Sequence, residues 1–217
     1  MLSDKAFLAL RLEGPLQSWG FDSQYNRRNT GLMPTKSAVA GMCCAALGYA
    51  RGSGEEQAFL QQFNAVRMTA IAIPRQGSKK ELPVRRLQDY HTVKDTRTAE
   101  GKPKVCHITY RHYLTDASFG VLLKGPAPLL KQLAGAFENP VWGIWLGRKT
   151  CIPTTPVLAG LMYSREEALR LLIGEKPMES FTLQEEVENF TEGRDSLPDT
   201  PVSFASERRL FSPRRVK

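Results

Sequence analysis

The stretch Gly14-Pro15-Leu16-Gln17-Ser18-Trp19-Gly20 follows an apolar run at residues 6–12 and precedes the stretch Pro34-Thr35-Lys36-Ser37. The apolar run alternates like a half-buried strand, and the Gly-Pro pair marks its end. Thr35 is a favourable N-cap residue, so the second stretch predicts the start of a helix that is rich in small residues. A helix start beneath a basic side chain can hold an anion. This segment therefore predicts a strand, a loop and a helix placed around an anion.

The elements predicted beyond this segment indicate an α+β fold. Residues 37–47 predict a helix and residues 65–73 a second strand, which completes a β-α-β opening. Residues 117–123 then predict another strand, and residues 126–137 carry apolar side chains at helical spacing. This order fits a ferredoxin-like βαββαβ plan.

A long basic insertion interrupts that plan at residues 76–110. With Arg75 it contains nine Lys or Arg residues against four acidic ones, and it has little core-forming periodicity. Long polar insertions in compact domains are usually functional or disordered. We therefore predict an extended basic β-hairpin, the thumb, at about residues 76–112.

The remainder of the chain predicts a smaller C-terminal unit. A capping box at Ser164-Arg165-Glu166-Glu167 opens a short helix, and residues 202–204 and 209–211 are weak strand candidates. We place the division between a ferredoxin-like domain, residues 1–140, and this unit, residues 141–217. Within it, residues 179–199 carry seven acidic residues and one basic residue, so we expect this run to face away from nucleic acid or to meet a basic partner protein.

Composition narrows the function classes. A formal charge of +8 and a pI near 9.5 favour a polyanionic partner. No stretch approaches the ~20 apolar residues of a membrane helix, and no leader pattern is evident, so we expect a cytoplasmic protein. The four cysteines form no Cys-x-x-Cys pair and are expected to be reduced structural thiols, without a metal site. Neither a Walker motif nor a dinucleotide fingerprint is present, so no nucleotide cofactor is predicted.

Two segments combine cations with aromatic side chains, a pattern that suits single-stranded RNA because cations bind phosphates and aromatic rings stack on bases. The alternatives are a solvated surface ribbon for the first segment and core packing of the tryptophans for the second. The first segment offers Arg85, Arg86, Tyr90 and His91, followed by Tyr110, Arg111, His112 and Tyr113. The second, residues 142–150, offers Trp145, Arg148 and Lys149 between glycines.

Three motifs together resemble the CasD family, the RNA-capping subunits of the type I-E CRISPR surveillance complex Cascade. These motifs are the stretch at residues 14–20 with Lys36, the stretch Leu87-Gln88-Asp89-Tyr90-His91-Thr92-Val93, and the stretch Leu146-Gly147-Arg148-Lys149-Thr150-Cys151. The resemblance implies an RRM-related, RAMP-type ferredoxin-like fold and a non-catalytic subunit that binds the 5′ handle of guide RNA. It also implies contacts with the large subunit that reads the motif beside the DNA target and with the first backbone filament subunit, and hence with target DNA through the complex.

The resemblance extends to individual positions. In the family, a basic residue at the position of Arg111 and an aromatic residue at the position of Trp145 help to bind the handle. Gln17, Trp19 and Lys36 match the N-terminal signature and are candidate RNA-binding residues, with support of the loop as the alternative role and Lys36 ranked first among the three.

An enzymatic alternative stays open. Metal-independent ribonucleases need a general base and acid near the 2′-hydroxyl, and His91, His107 and His112 all lie in or beside the basic insertion. Tyr90, His91 and Lys94 form a conceivable group for cleaving repeat RNA. The type I-E resemblance favours binding without catalysis.

Overall fold

The computed structural model describes residues 4–20, 22–23, 25–76, 81–98, 100–207 and 209–217, apart from the side chains of Gln76, Leu82 and Phe190. Within these residues the strands are β1 (Lys5–Glu13), β2 (Leu16–Gln17), β3 (Arg27–Arg28), β4 (Arg67–Ala72), β5 (Arg75–Gln76), β6 (Glu81–Leu82), β7 (Arg85–Arg97), β8 (Pro103–Thr115), β9 (Ser118–Pro126), β10 (Leu158–Met162), β11 (Thr182–Glu185), β12 (Asp195–Ser203) and β13 (Leu210–Val216). The α-helices are α1 (Lys36–Leu47), α2 (Gly54–Phe63), α3 (Ala127–Glu138) and α4 (Arg165–Ile173), and short 3₁₀ turns occur at Met178–Ser180 and Phe190–Glu192.

The main sheet confirms the ferredoxin-like prediction. Its strand order is β10-β1-β9-β4-β11, and every neighbouring pair is antiparallel. Along the chain, the core elements follow the order β1, α1, β4, β9, α3 and β10, which is the βαββαβ order of a ferredoxin-like fold. Helix α2 follows α1 before β4, and the thumb lies between β4 and β9.

Alternation along β1 covers both faces of the main sheet. Leu8 and Leu10 are fully buried in the larger core cluster, which includes side chains of α1 and α3. Ala9 points to the other face and packs with Ile71 and side chains of α4. Because successive side chains of a strand point in opposite directions, one apolar strand can serve both layers of helices.

Local capping sets the limits of α1, the helix closest to the site described below. The Thr35 side chain accepts a hydrogen bond from the Ala38 amide, and Gly48 ends the helix with φ 76°. A left-handed residue of this kind favours glycine, since a Cβ there is strained. The predicted helix at residues 37–47 is thus confirmed.

The thumb is the long hairpin formed by β7 and β8, which pair antiparallel over most of their length. The opposite edge of β8 pairs with β2 and, in parallel, with β3. The base of the thumb is therefore joined to the loop that carries the N-terminal motif. The predicted hairpin is confirmed, and its second strand extends to Thr115.

The C-terminal segment shares the main sheet. Strands β10 and β11 flank it on the two sides, and β12 and β13 form a separate hairpin. The predicted weak strands lie within or beside this hairpin. The division at residue 140 stays a prediction about the chain, although both of its parts contribute strands to one sheet.

The cysteines are free thiols, as expected. Burial raises the pKa of Cys44 to about 12 and raises that of its neighbour Cys43 as well, so both thiols stay protonated in the core around neutral pH. None of the helices that the described residues form is long and apolar enough to cross a bilayer.

Candidate nucleic-acid interface

An open groove of about 730 Å³ runs along α1. Its floor is a face of α1 with small side chains, including Ser37, Ala38 and Gly41. A Cβ added at Gly41 would meet no atom within 4 Å, so this part of the helix backbone is accessible. The floor therefore offers room for a polymer to lie against the helix.

Five cationic side chains line the groove, and none of them forms an ion pair among the described residues; they are Arg28, Arg51, Arg148, Lys149 and Arg209. Asp199 is the one acidic lining residue in the described part of the chain. Its carboxylate accepts hydrogen bonds from Arg214 at 2.6 and 3.1 Å and from the Lys36 amide at 2.8 Å. The groove thus carries uncompensated positive charge, which favours a polyanion.

The first wall of the groove is the loop at residues 143–149, which packs directly on the N-terminal motif. The Ser18 amide donates to the Leu146 carbonyl at 3.0 Å. Gly147 has φ 97°, and a Cβ there would lie 1.8 Å from the Ser18 carbonyl oxygen. Only glycine permits this approach. The two motifs that are distant in sequence are therefore parts of one surface.

Arg148 connects this wall to the thumb. Its guanidinium carbon lies 4.7 Å from the centre of the Tyr113 ring on β8, and Nη2 donates to the Arg28 carbonyl at 2.7 Å. Trp145 is half-buried, with Lys149 Nζ 5.9 Å from its ring centre. The structure therefore brings the predicted Trp145, Arg148 and Lys149 together in the groove.

The thumb divides its predicted residues between two faces. The pairs Asp89–Arg111 and His91–Thr109 place His91 and Arg111 on the face of Tyr113, which Arg148 covers. Arg85 has the same parity as His91 and shares that face.

Tyr90 and Arg86 lie on the opposite face of the thumb, where Tyr90 packs edge-on against Tyr110 with ring centres 5.5 Å apart. One RNA strand lying on the face of Arg111 would therefore not reach Tyr90.

The prediction that Gln17 and Trp19 contact RNA is wrong, because both side chains are fully buried. Gln17 Nε2 donates to the carbonyl oxygens of Leu12 and Ala117 at 3.0 and 2.6 Å. Trp19 packs edge-on against Phe119. These residues hold the loop in place from below.

The prediction that Lys36 binds RNA is also wrong. Lys36 is fully buried, and its ammonium group donates to Glu186 at 2.9 Å and to the Val66 carbonyl at 2.7 Å. Burial lowers its pKa below the ordinary value, while Glu186 acts in the opposite direction. A buried ammonium needs such a partner, and here the partner comes from the acidic run.

The acidic run is thus partly internal. Glu186 also accepts from Arg67 at 3.1 Å, and Asp199 is buried beside Arg214. Glu186 and Asp199 therefore stabilise the junction of α1 with the C-terminal strands, and they are not free to meet a partner protein. Exposed acidic residues of the run remain at Glu179, Glu188, Glu192 and Asp195.

The histidines do not converge on one point of the thumb. His91 Nδ1 lies 3.5 Å from Asp89, His107 Nδ1 lies 3.0 Å from Lys104 Nζ, and His112 Nε2 lies 3.1 Å from Gln88. The conceivable group of Tyr90, His91 and Lys94 is split, because His91 faces away from the other two. In the described part of the chain no group of His, Cys, Asp and Glu could hold a metal ion.

Sequence reasoning missed three groove cations, namely Arg28, Arg51 and Arg209. Each comes from a short segment, and only the fold brings these segments to α1. The alternation of Arg209 with Phe211 could have indicated an RNA-binding segment, since it combines a cation and an aromatic ring, as the predicted thumb segment does. Arg51 offered no comparable signal.

These features define a ferredoxin-like protein with a basic thumb and a cationic groove suited to a polyanion. A family model described as CRISPR-associated protein (Cas_Cas5) matches residues 7–217. The chain belongs to this Cas5 family of CRISPR-associated proteins, which confirms the resemblance seen in its motifs.

One curated protein and two solved structures are similar to this chain over most of its length. The CRISPR system Cascade subunit CasD of Escherichia coli (strain K12) is 31% identical over an alignment of 216 residues, with 93% of this chain and 93% of that protein covered. A chain of a solved CRISPR RNA-guided surveillance complex matches with a TM-score of 0.78 at 29% identity, over 97% of this chain and 88% of that one. A crystal structure of a Cas protein matches with a TM-score of 0.67 at 33% identity, over 97% and 92%.

Proposed function

We propose that this chain is a non-catalytic RNA-binding subunit of a CRISPR surveillance complex, where it binds and caps the 5′ handle of the guide RNA. The observation that carries the proposal is the groove along α1, where five cations that form no ion pair among the described residues lie with the half-buried ring of Trp145. The similarity over nearly the whole chain to a Cascade subunit and to a chain of an RNA-guided complex supports it.

The arrangement can bind single-stranded RNA in two ways at once. Arg28, Arg148 and Lys149 would neutralise backbone phosphates, and Arg111 would continue this positive surface onto the thumb. Trp145 would stack on an unpaired base, which contributes about 1–3 kcal/mol. Phosphate contacts would position the handle and stacking would favour its single-stranded path.

The partners follow from the same proposal. In the assembled complex the chain would lie at one end of the filament, next to the large subunit and the first backbone subunit, and would meet target DNA through them. Tyr90 and Arg86, on the thumb face that points away from Arg111, would then be free for a second RNA segment or a protein neighbour. We propose that this assembly works in the cytoplasm.

The test uses purified protein with end-labelled repeat RNA and mature guide RNA in EDTA, analysed on native and denaturing gels. We expect the guide RNA to shift only when its 5′ handle is present, and both RNAs to stay intact. Cleavage of the repeat RNA that is lost in His91→Ala or His107→Ala would overturn the proposal in favour of an endoribonuclease.

A glycine pair provides a matched control for the groove. Gly41→Glu places a carboxylate on the groove floor, and we expect it to weaken handle binding at least tenfold, which is about 1.4 kcal/mol. Gly135→Glu makes the same change on α3, where a Cβ also meets nothing within 4 Å, and should bind normally. Equal affinities of the two variants, measured by fluorescence anisotropy, would place the RNA elsewhere.

A further inference from the structure

The second wall of the groove is made by two turns that the sequence motifs do not include. The turn after α1 supplies Arg51, and the connection between β12 and β13 supplies Arg209. The turns touch, since a Cβ added at Gly52 would lie 3.6 Å from the Ala205 backbone. This contact brings two arginines together that are far apart in sequence.

The two guanidinium groups share a positive field without a carboxylate to balance it among the described residues. Burial lowers the pKa of Arg209, and the nearby charge of Arg51 lowers it further. Neither arginine forms an ion pair in the described part of the chain. An anion bound between them would remove this repulsion, and a phosphate suits the planar donors of two guanidinium groups.

An aromatic platform lies beside these arginines. The guanidinium carbon of Arg209 is 5.3 Å from the centre of the Phe211 ring. Phe211 is 38% exposed, yet it packs on Phe204, which is buried in the main core, with ring centres 6.3 Å apart. The ring is thus fixed from behind and partly open to the groove, as a base-stacking surface requires.

From these features we propose that the second wall is a separate subsite for one nucleotide of single-stranded RNA, with its phosphate on Arg51 and Arg209 and its base on Phe211. The inference rests on the proposed function, because it presupposes RNA in the groove. It adds that the handle is held at two stacking points, Trp145 on the first wall and Phe211 on the second, with the floor of α1 between them. The handle would therefore cross the groove from wall to wall.

The experiment combines protein variants with a guide RNA that carries a single abasic nucleotide at each handle position in turn. We expect Phe211→Leu, which keeps the apolar contact with Phe204, to weaken binding of intact handle about tenfold and to have no effect on one particular abasic RNA. Trp145→Leu should also weaken binding of the intact handle, and it should have no effect on an RNA whose abasic nucleotide lies at a different handle position. This position-specific loss identifies the base that each ring stacks on.

The phosphate part of the subsite has its own readout. The Arg51→Ala, Arg209→Ala double variant should reduce the dependence of log affinity on log salt by about 0.7, which is the value for one phosphate of a single strand. Arg194→Ala, an exposed arginine outside the groove, is the matched control and should leave the slope unchanged.

Two results would overturn the subsite while leaving the proposed function intact. One is a Phe211→Leu variant that binds every RNA like the wild type. The other is coupling of Phe211 and Trp145 to the same nucleotide. If the wild-type chain bound no handle RNA at all, the proposed function itself would fail, and this outcome is visible before any variant is made.

Discussion

Lys36 shows why the type of a residue is a weak guide to its partner. The sequence places a lysine at a helix start, which is typical of anion sites. The group that it binds is Glu186, 150 residues further along the chain. No local sequence pattern predicts a contact between residues so far apart. By contrast, Trp145, Arg148 and Lys149 belong to one glycine-rich loop, and the structure places all three in the groove. That they bind RNA stays a prediction.

The buried pair has a measurable consequence for stability. Lys36→Met leaves Glu186 buried with Arg67, Arg214 and the Met68 amide as partners, and we expect it to lower the free energy of unfolding by about 3 kcal/mol, the low end for breaking a buried ion pair. Glu186→Leu combined with Lys36→Met should cost less than the sum of the two single changes. Urea unfolding measures all three. A Lys36→Met protein that is as stable as the wild type but binds RNA poorly would show that Lys36 acts on RNA after all.

At the level of elements, the spacing of apolar residues predicted those strands and helices whose formation depends on local sequence. Strand β1 and helices α1 and α3 have strong apolar patterns, and the structure confirms them. Helix α2 was missed although Ser53 caps it, because its first turn is polar. Strand β11 was missed because its residues lie in the acidic run and become a strand only by pairing with β4 at the sheet edge.

The thumb is an element whose function depends on register. Because Arg111 shares a face with Tyr113 and the groove, Arg111→Ala should weaken handle binding about tenfold, or roughly 1.4 kcal/mol. Arg86→Ala removes the same charge from the other face and should weaken binding less than about threefold, since it acts only through the screened long-range field. Fluorescence anisotropy of the isolated protein with guide RNA distinguishes them. The reverse ranking would place the RNA on the face of Tyr90.

At the level of the whole molecule, the fold separates charges that are mixed along the chain. Two carboxylates of the acidic run are buried against Lys36 and Arg214, which removes both signs from the surface at the junction with the C-terminal strands. The groove keeps its cations without acidic partners in the part of the chain that the structure describes. Part of the net charge of +8 is therefore displayed in the groove along α1.

This distribution predicts how affinity depends on salt. If Arg51 and Arg209 together neutralise one phosphate, and Arg28, Arg148, Lys149 and Arg111 neutralise one each, log affinity should fall with log salt with a slope of about −3.5, given roughly −0.7 per phosphate of a single strand. A handle of equal length built from abasic nucleotides should give a parallel line displaced to weaker binding, because it keeps the phosphates and loses the bases that stack on Trp145. Titrations between about 50 and 400 mM salt test this, a range over which counterion release dominates. Coincident lines for the two RNAs would reduce the groove to a generic polyanion surface, since the charge of the fold alone would then account for all of the binding.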